Sequence, residues 1–316
     1  MTHIRLMSPQ TRFVVVTGKG GVGRTTVACS LALAAARSGR RTCIVELYGQ
    51  SSVARRFGLS QRTYLPRTVA PGVDTMSLTP MEAIDDFGHR KVKLDTLLRV
   101  VLKSRVVSAF LDAVPGLHDL VQLGKIEHLL SEPMPGDPRY DLIIIDAPAT
   151  GHGLTLLSAA RTMQDMAKVG PFHELASIIQ RALGNTELTA TVLVTLPEEL
   201  PVQETLELAQ SLGEQRASIR AVIANQVRPR PLPERPSWDA LRATLDANSD
   251  PDLHLLARLA EKRLDAHQAQ EAALEKLHAG VARTIGRAVS VFGLPRVESE
   301  DWETLTDACL HKLADP

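Results

Sequence analysis

Several features are scarce in this chain, and each scarcity excludes something. Cysteine occurs three times, at Cys29, Cys43 and Cys309, far apart and never as a CxxC pair. That removes a zinc-binding spacing and a disulfide framework, and makes a reducing, cytoplasmic setting the expectation. Excess charge is absent too, since 36 Lys and Arg offset 36 Asp and Glu. A nucleic-acid-binding protein usually carries a basic surplus, so no nucleic acid is expected as a partner. No apolar run reaches the roughly 18 residues of a membrane-spanning helix. The opening MTHIRLMSPQTRF lacks the apolar stretch of a secretion signal. Repeats and low-complexity tails are also missing.

What is present is 316 residues, 44% of them hydrophobic, enough for one large α/β core or two modest ones. Phe13–Thr17, Thr42–Leu47, Asp141–Asp146, Thr191–Thr195 and Ala221–Asn225 read as strands, with Val73–Leu78 and Val289–Leu294 as weaker candidates. The strongest are unbroken Val/Ile/Leu runs, the pattern of strands buried on both faces of a parallel sheet. Helical stretches lie between them at Thr25–Ser38, Gly153–Val169, Val202–Gln215 and Asp252–Ala288. Alternating strands and helices predict an α/β, doubly wound, mostly parallel sheet.

One domain over 1–316 is expected, interrupted by a helical insertion at about 80–135. Within that insertion Leu94, Leu97, Leu98, Val101 and Leu102 form an apolar stripe, and Pro115-Gly116 breaks it. A second helical patch is expected at about 163–190, continuous with the preceding helix. The proline-rich Arg228–Pro236 reads as an exposed loop.

The most informative segment is FVVVTGKGGVGRTTVACSLALAAA, a strand, a glycine-rich turn and a helix. Gly18, Gly23 and Thr25 fit the phosphate-loop pattern G-x-x-x-x-G-K-[ST]. Glycine admits backbone angles closed to other residues, so the N–H groups of Gly18, Lys19, Gly20, Gly21, Val22, Gly23, Arg24, Thr25 and Thr26 are able to turn inward around phosphate oxygens. The helix following Arg24 adds its positive N-terminal end, and the Thr25 hydroxyl is placed to ligate Mg²⁺. Arg24 stands where the pattern has lysine, and the two cations are not interchangeable. A glycine-rich turn without a ligand is the alternative. YDLIIIDAPATGHGLTLL ends a second buried strand at Asp146, where a carboxylate serves Mg²⁺.

With Lys19 directly after the first glycine, this loop resembles the deviant phosphate loop of the ArsA/MinD/ParA group of P-loop ATPases. Asp146-Ala147-Pro148-Ala149-Thr150-Gly151-His152 is similar to the DTAPTGHTL switch of the ArsA branch, which includes the eukaryotic ATPase that targets tail-anchored proteins. VLVTLPEELPVQETLELAQSL, AVIANQV and PGLHDLVQLGKIEHLL fit the same branch, so the likeness covers about 13–300. It implies ATP and Mg²⁺ as ligands and catalytic roles for Lys19, Arg24 and Asp146. It further implies a homodimer, or a heterodimer with a related ATPase, in which Lys19 reaches the partner's nucleotide, and adenine contacts from Asn225 and Pro295. A protein or peripheral membrane partner is compatible with it. The plain alternatives are a surface lysine for Lys19, a turn residue for Asn225 and a hydrogen-bonded loop histidine for His152.

The chain departs from that pattern after the second strand, where the family carries DPAHSLSDAFG and its aspartate orients the attacking water. Aligning the terminal Phe57-Gly58 puts Tyr48 at the aspartate, and tyrosine is no carboxylate base near neutral pH. Glu46 is the nearest acid, with a strand-end carboxylate as its plainer role. Slow hydrolysis, or hydrolysis only with a partner subunit, is the resulting expectation. No cysteine falls in the insertion, and Met76, Met81, Met163 and Met166 make no rich cluster. Arsenite binding and a methionine-lined client groove are therefore not expected.

Overall fold

A computed structural model describes residues 7–91, 113–131, 140–148, 151–166, 168–230, 235–247, 250–297 and 302–314. In chain order the described elements are β1 (Phe13–Gly18), α1 (Arg24–Arg37), β2 (Thr42–Glu46), α2 (Ser52–Arg56), β3 (Arg67–Ala70), β4 (Val73–Ser77) and α3 (Pro80–Lys91). There follow α4 (Leu117–Ser131), β5 (Leu142–Asp146), α5 (Gly151–Met166), α6 (Pro171–Gly184), β6 (Thr189–Thr195) and α7 (Glu199–Ser211). A 3₁₀ turn (Gly213–Ser218), β7 (Ile219–Val227), α8 (Arg235–Asp246), α9 (Pro251–Ile285), β8 (Ser290–Pro295) and α10 (Trp302–Ala314) complete the series.

The eight described strands form one sheet in the order β3-β4-β2-β5-β1-β6-β7-β8, parallel throughout except for β3 against β4. Side chains alternate across each strand. Phe13 and Val15 of β1 and Ile143 and Ile145 of β5 enter one core layer. Val14, Val16 and Ile144 enter the layer on the opposite face. Helices α4, α5, α6, α7 and α9 cover the first face and α1 and α10 the second, as the unbroken aliphatic runs require. Because the strands are parallel, Gly18, Glu46, Asp146 and Thr195 all emerge at one edge of the sheet, where open α/β sheets bind ligands.

Local chemistry sets the helix limits. Asp250 accepts a hydrogen bond from Asp252 N at 2.9 Å with Pro251 at the first turn, and Gly286 in the left-handed region ends α9. Each of the seven expected strands is present, within a residue or two at its ends. β3 is an addition that the sequence did not announce, being four residues long and partly exposed.

The range expected as a helical patch, 163–190, holds the end of one helix and the whole of another, and not one helix continuous with the preceding one. α5 stops at Met166, Gly170 turns the chain at φ 98°, Pro171 opens α6, and β6 has begun by Thr189. Gly170-Pro171 breaks the helix, because proline has no N–H to continue it. The expected loop Arg228–Pro236 also gives way to helix from Arg235. The stripe Leu94–Leu102 lies outside the described residues.

Part of the expected insertion is core. In α4 every residue from Asp119 to Ile126 is buried, including the polar Gln122 and Lys125. Lys125 Nζ meets Asp86 Oδ1 at 3.0 Å and lies 5.6 Å from the centre of the Tyr64 ring. A buried ammonium needs such company to offset its lost hydration. At the far end of the sequence, α10 lies on α1, with Leu305 and Cys309 buried against it and Arg37 paired to Asp307 at 2.6 Å. No helix among the described residues is long and apolar enough to cross a membrane.

Candidate functional site

The turn between β1 and α1 is shaped by two close approaches. A Cβ on Gly18 would overlap the carbonyl oxygen of Val194 in β6. Gly23 sits at φ 89°, and a Cβ there would collide with the Asn225 side-chain amide. That amide belongs to the end of β7, is 4% exposed, and donates from Nδ2 to the Val22 carbonyl at 2.9 Å. Asn225 thus fastens the turn to the sheet. Gly20 and Gly21 have open space where a side chain would be.

Strand order brings the second motif beside the first. β1 and β5 are neighbours with Val16 opposite Asp146, so the aspartate emerges next to the start of α1. Thr25 Oγ1 donates to Asp146 Oδ2 at 2.6 Å. Burial pushes the Asp146 carboxyl above the usual carboxylate range, opposed by the Thr25 hydrogen bond and the charges of Arg24 and Arg56. Arg24 Nη1 donates to the carbonyl of Ala147, which tethers the loop to the segment that follows β5. Burial lowers the Arg24 pKa, partly countered by Asp146. A threonine hydroxyl and a strand-end carboxylate are hard oxygen donors of the kind magnesium takes alongside phosphate oxygens. No group of three His, Cys, Asp or Glu among the described residues would cage a metal with protein ligands alone.

Glu46 lies opposite Asp146 across β2 and β5. It is 1% exposed, its Oε1 accepts from Ser52 N at 2.6 Å at the start of α2, and its Oε2 is buried without a hydrogen bond. Burial raises its pKa to about 7, with the nearby Asp146 adding to the rise and the amides of Val53, Ser52 and Ala54 opposing it.

Tyr48, at the position aligned with the family's aspartate, is engaged elsewhere. It adopts φ 58°, its N–H donates to Gln122 Oε1 at 3.0 Å, and its hydroxyl donates to Asp119 Oδ1 at 2.5 Å. Burial and then the Asp119 carboxylate push its pKa up. Two side chains of α4 therefore hold the loop after β2. Lys19 Nζ is paired within the same chain to Glu204 of α7 at 3.2 Å, both side chains being partly exposed. His152 falls in the first turn of α5, and its side chain lies outside the described residues.

A cavity of about 410 Å³ unites several of these residues. Gly21, Gly23 and Thr26 line it from the loop and α1, and Asn225, Pro295 and Trp302 from β7, β8 and α10. Arg56, which no motif singled out, adds a further wall from α2. Of the residues read from the sequence, the structure gathers the loop, Asp146, Asn225 and Pro295 at one edge of the sheet, and gives Tyr48 a different set of partners.

A strand, a glycine turn, a helix and a strand-end aspartate hydrogen-bonded to the helix threonine, set in a parallel sheet, make a P-loop NTPase α/β fold. A family model described as Anion-transporting ATPase matches residues 11–177 and 166–244. The ATPase BagA of Mycobacterium tuberculosis is 32% identical over 244 residues, covering 75% of this chain and 72% of that protein. ATPase ASNA1 homolog 2 of Paramecium tetraurelia is 27% identical over 261 residues, covering 70% and 78%. An arsenical pump-driving ATPase of Acidiphilium multivorum is 27% identical over 250 residues, covering 74% of this chain and 42% of its own length. The chain belongs to the ArsA ATPase family.

Two outcomes follow from this geometry. Gly23→Ala adds a methyl group into the Asn225 amide at a left-handed position, a strain of about 1–3 kcal/mol. It is expected to lower the urea midpoint and to weaken nucleotide binding measured by calorimetry. Glu46 carries a folded-state pKa of about 7 against an ordinary value of 4.5. Folding therefore favours its protonated form, and its contribution is full below the lower value and lost as pH rises through the higher one. In magnesium-free, nucleotide-free protein, stability relative to Glu46→Gln is expected to fall between these two values and to level off above them. A constant difference across that window would contradict the assignment.

Proposed function

We propose that the chain is a magnesium-dependent ATPase working as a nucleotide-gated dimer, either a homodimer or a pair with a related ATPase. The observation that carries this reading is the 2.6 Å hydrogen bond from Thr25 to Asp146, beside a glycine turn whose Gly18 and Gly23 positions are closed to side chains. Gly18 to Thr26 hold the phosphates, with backbone N–H groups and the N-terminus of α1 facing the anion. Asn225 and Pro295 border the adenine end of the cavity. A larger cavity of about 480 Å³ lies across Gln226 and Arg296, against α9. The smaller one is preferred because the loop glycines line it.

Thr25 and Asp146 would hold Mg²⁺. The ion, when bound, neutralises charge developing on the phosphate oxygens. Arg24 contributes positive charge beside Asp146 and links the loop to the Ala147 carbonyl. Lys19 exchanges Glu204 for the partner's nucleotide on dimer closure. Gly151 and Gly153 let the segment after Asp146 rearrange when the γ-phosphate leaves. Motion is passed to a protein or peripheral membrane partner through α3 and α4. Cys29, Cys43 and Cys309 are all buried and far apart in sequence, which favours no thiolate site for arsenite.

One observation favours a second reading, a subunit that binds nucleotide and turns it over slowly or only beside a related ATPase. The loop after β2 presents Tyr48 to Asp119 in place of a free carboxylate facing the phosphate turn.

Wild-type protein is expected to release phosphate from MgATP and to shift in light-scattering mass between ADP and a slow ATP analogue. Thr25→Ala is expected to do neither, and equal phosphate release by both proteins would refute the first reading. Under the second reading the wild type is nearly inactive alone and Tyr48→Asp raises its rate. Robust turnover by the wild-type homodimer would remove that reading.

A further inference from the structure

Arg56 lies in α2, a short helix beyond the loop after β2, and no phosphate-binding pattern includes it. Its place is nevertheless fixed from both ends. At the start of α2, the amide of Ser52 is held by the buried carboxyl of Glu46 at 2.6 Å. In the middle, Val53 and Ala54 are buried. At the end, Phe57 stacks on Trp302 of α10, with ring centres 5.6 Å apart and planes 13° from parallel. A backbone caught between two such anchors has little room to drift, and Arg56 borders the 410 Å³ cavity together with Gly21, Gly23 and Thr26.

The charge balance of the cavity gives that position its meaning. A nucleoside polyphosphate stays anionic even with one magnesium ion, and the site already holds the buried carboxyls of Asp146 and Glu46. The cations here all have protein partners: Lys19 pairs with Glu204 at 3.2 Å, Arg24 donates to the Ala147 carbonyl, and the charge of Arg56 acts on Asp146, while Arg296 is a second guanidinium on the cavity wall. A guanidinium on the α2 wall shares the cavity with the glycine turn, and its planar fork of donors suits phosphate oxygens.

We propose that Arg56 is a polyphosphate-binding residue that grips the nucleotide from the α2 wall of the cavity. This rests on the reading of the cavity as the nucleotide site. Arg56 adds to the anionic part of the ligand alone, so it sets the preference for nucleoside di- and triphosphates over the bare nucleoside.

The test is calorimetric titration of the full chain with MgATP, MgADP and adenosine, comparing wild type, Arg56→Ala and Arg56→Lys. Each protein is first checked for thermal unfolding without nucleotide. Loss of a charge-assisted contact is expected to weaken ATP and ADP about tenfold or more in Arg56→Ala while adenosine binding stays unchanged. Arg56→Lys, which keeps the charge, is expected to recover part of the loss. Unchanged ATP and ADP affinity in Arg56→Ala overturns the inference. Equal weakening of all three ligands also overturns it, because that is the mark of a structural role. If Arg56→Ala does not fold, Arg56→Lys decides alone, with equal ATP affinity to wild type counting against the inference and a selective loss for ATP and ADP supporting it. A wild type that takes up none of the three ligands overturns the nucleotide reading itself, a result distinct from failure of Arg56 alone.

Discussion

A carboxyl group buried at the end of a β-strand has to find donors or lose its charge. Around Asp146 that requirement organises the site. The Thr25 hydroxyl satisfies one oxygen, and the charges of Arg24 and Arg56 oppose the cost of burial. All three come from segments that reach Asp146 only because β5 lies between β1 and β2 in the sheet. Strand order thus comes before chemistry. Were β1 and β5 not adjacent, the glycine turn would have no carboxylate beside it and the threonine no acceptor.

The loop after β2 responds to a different constraint. Tyr48 carries its hydroxyl to Asp119 and its backbone N–H to Gln122, both on α4 and both buried. A few residues later, the same loop is caught by Glu46 through Ser52 and by Trp302 through Phe57. Movement of this loop must therefore disturb α4, α2 or α10. Of these, α4 packs against both the sheet and α3, so a change in the loop has a route of packed side chains to α3.

Some of this is legible in the sequence for physical reasons. Gly18 and Gly23 are legible because a backbone held against Val194 and Asn225 leaves no room for another residue. Asp146 is legible because an acid closing an aliphatic strand has few other roles. The strands themselves are plain, since two-sided burial leaves an unbroken apolar run. Gly170-Pro171 signals a helix break that the apolar spacing around it masks. The partners of Tyr48 are not readable: Asp119 is 71 residues away, and nothing local pairs them. The burial of α4 is hidden by Gln122 and Lys125, whose polarity mimics an exposed face until Tyr48 and Asp86 are seen to satisfy them. Arg56 belongs to no motif and acquires its place only when α2 docks.

The stack of Trp302 on Phe57 joins segments separated by most of the sequence, and it closes the same cavity that the glycine turn opens. A pocket assembled from such distant pieces needs β1, α2, β7, β8 and α10 to be in place together. Its ligand is therefore tied to completion of the whole fold, and whatever fills it would raise the resistance of the entire protein to unfolding rather than tighten one loop. Were nucleotide that ligand, its binding would add to the stability of the whole fold in proportion to the logarithm of its concentration.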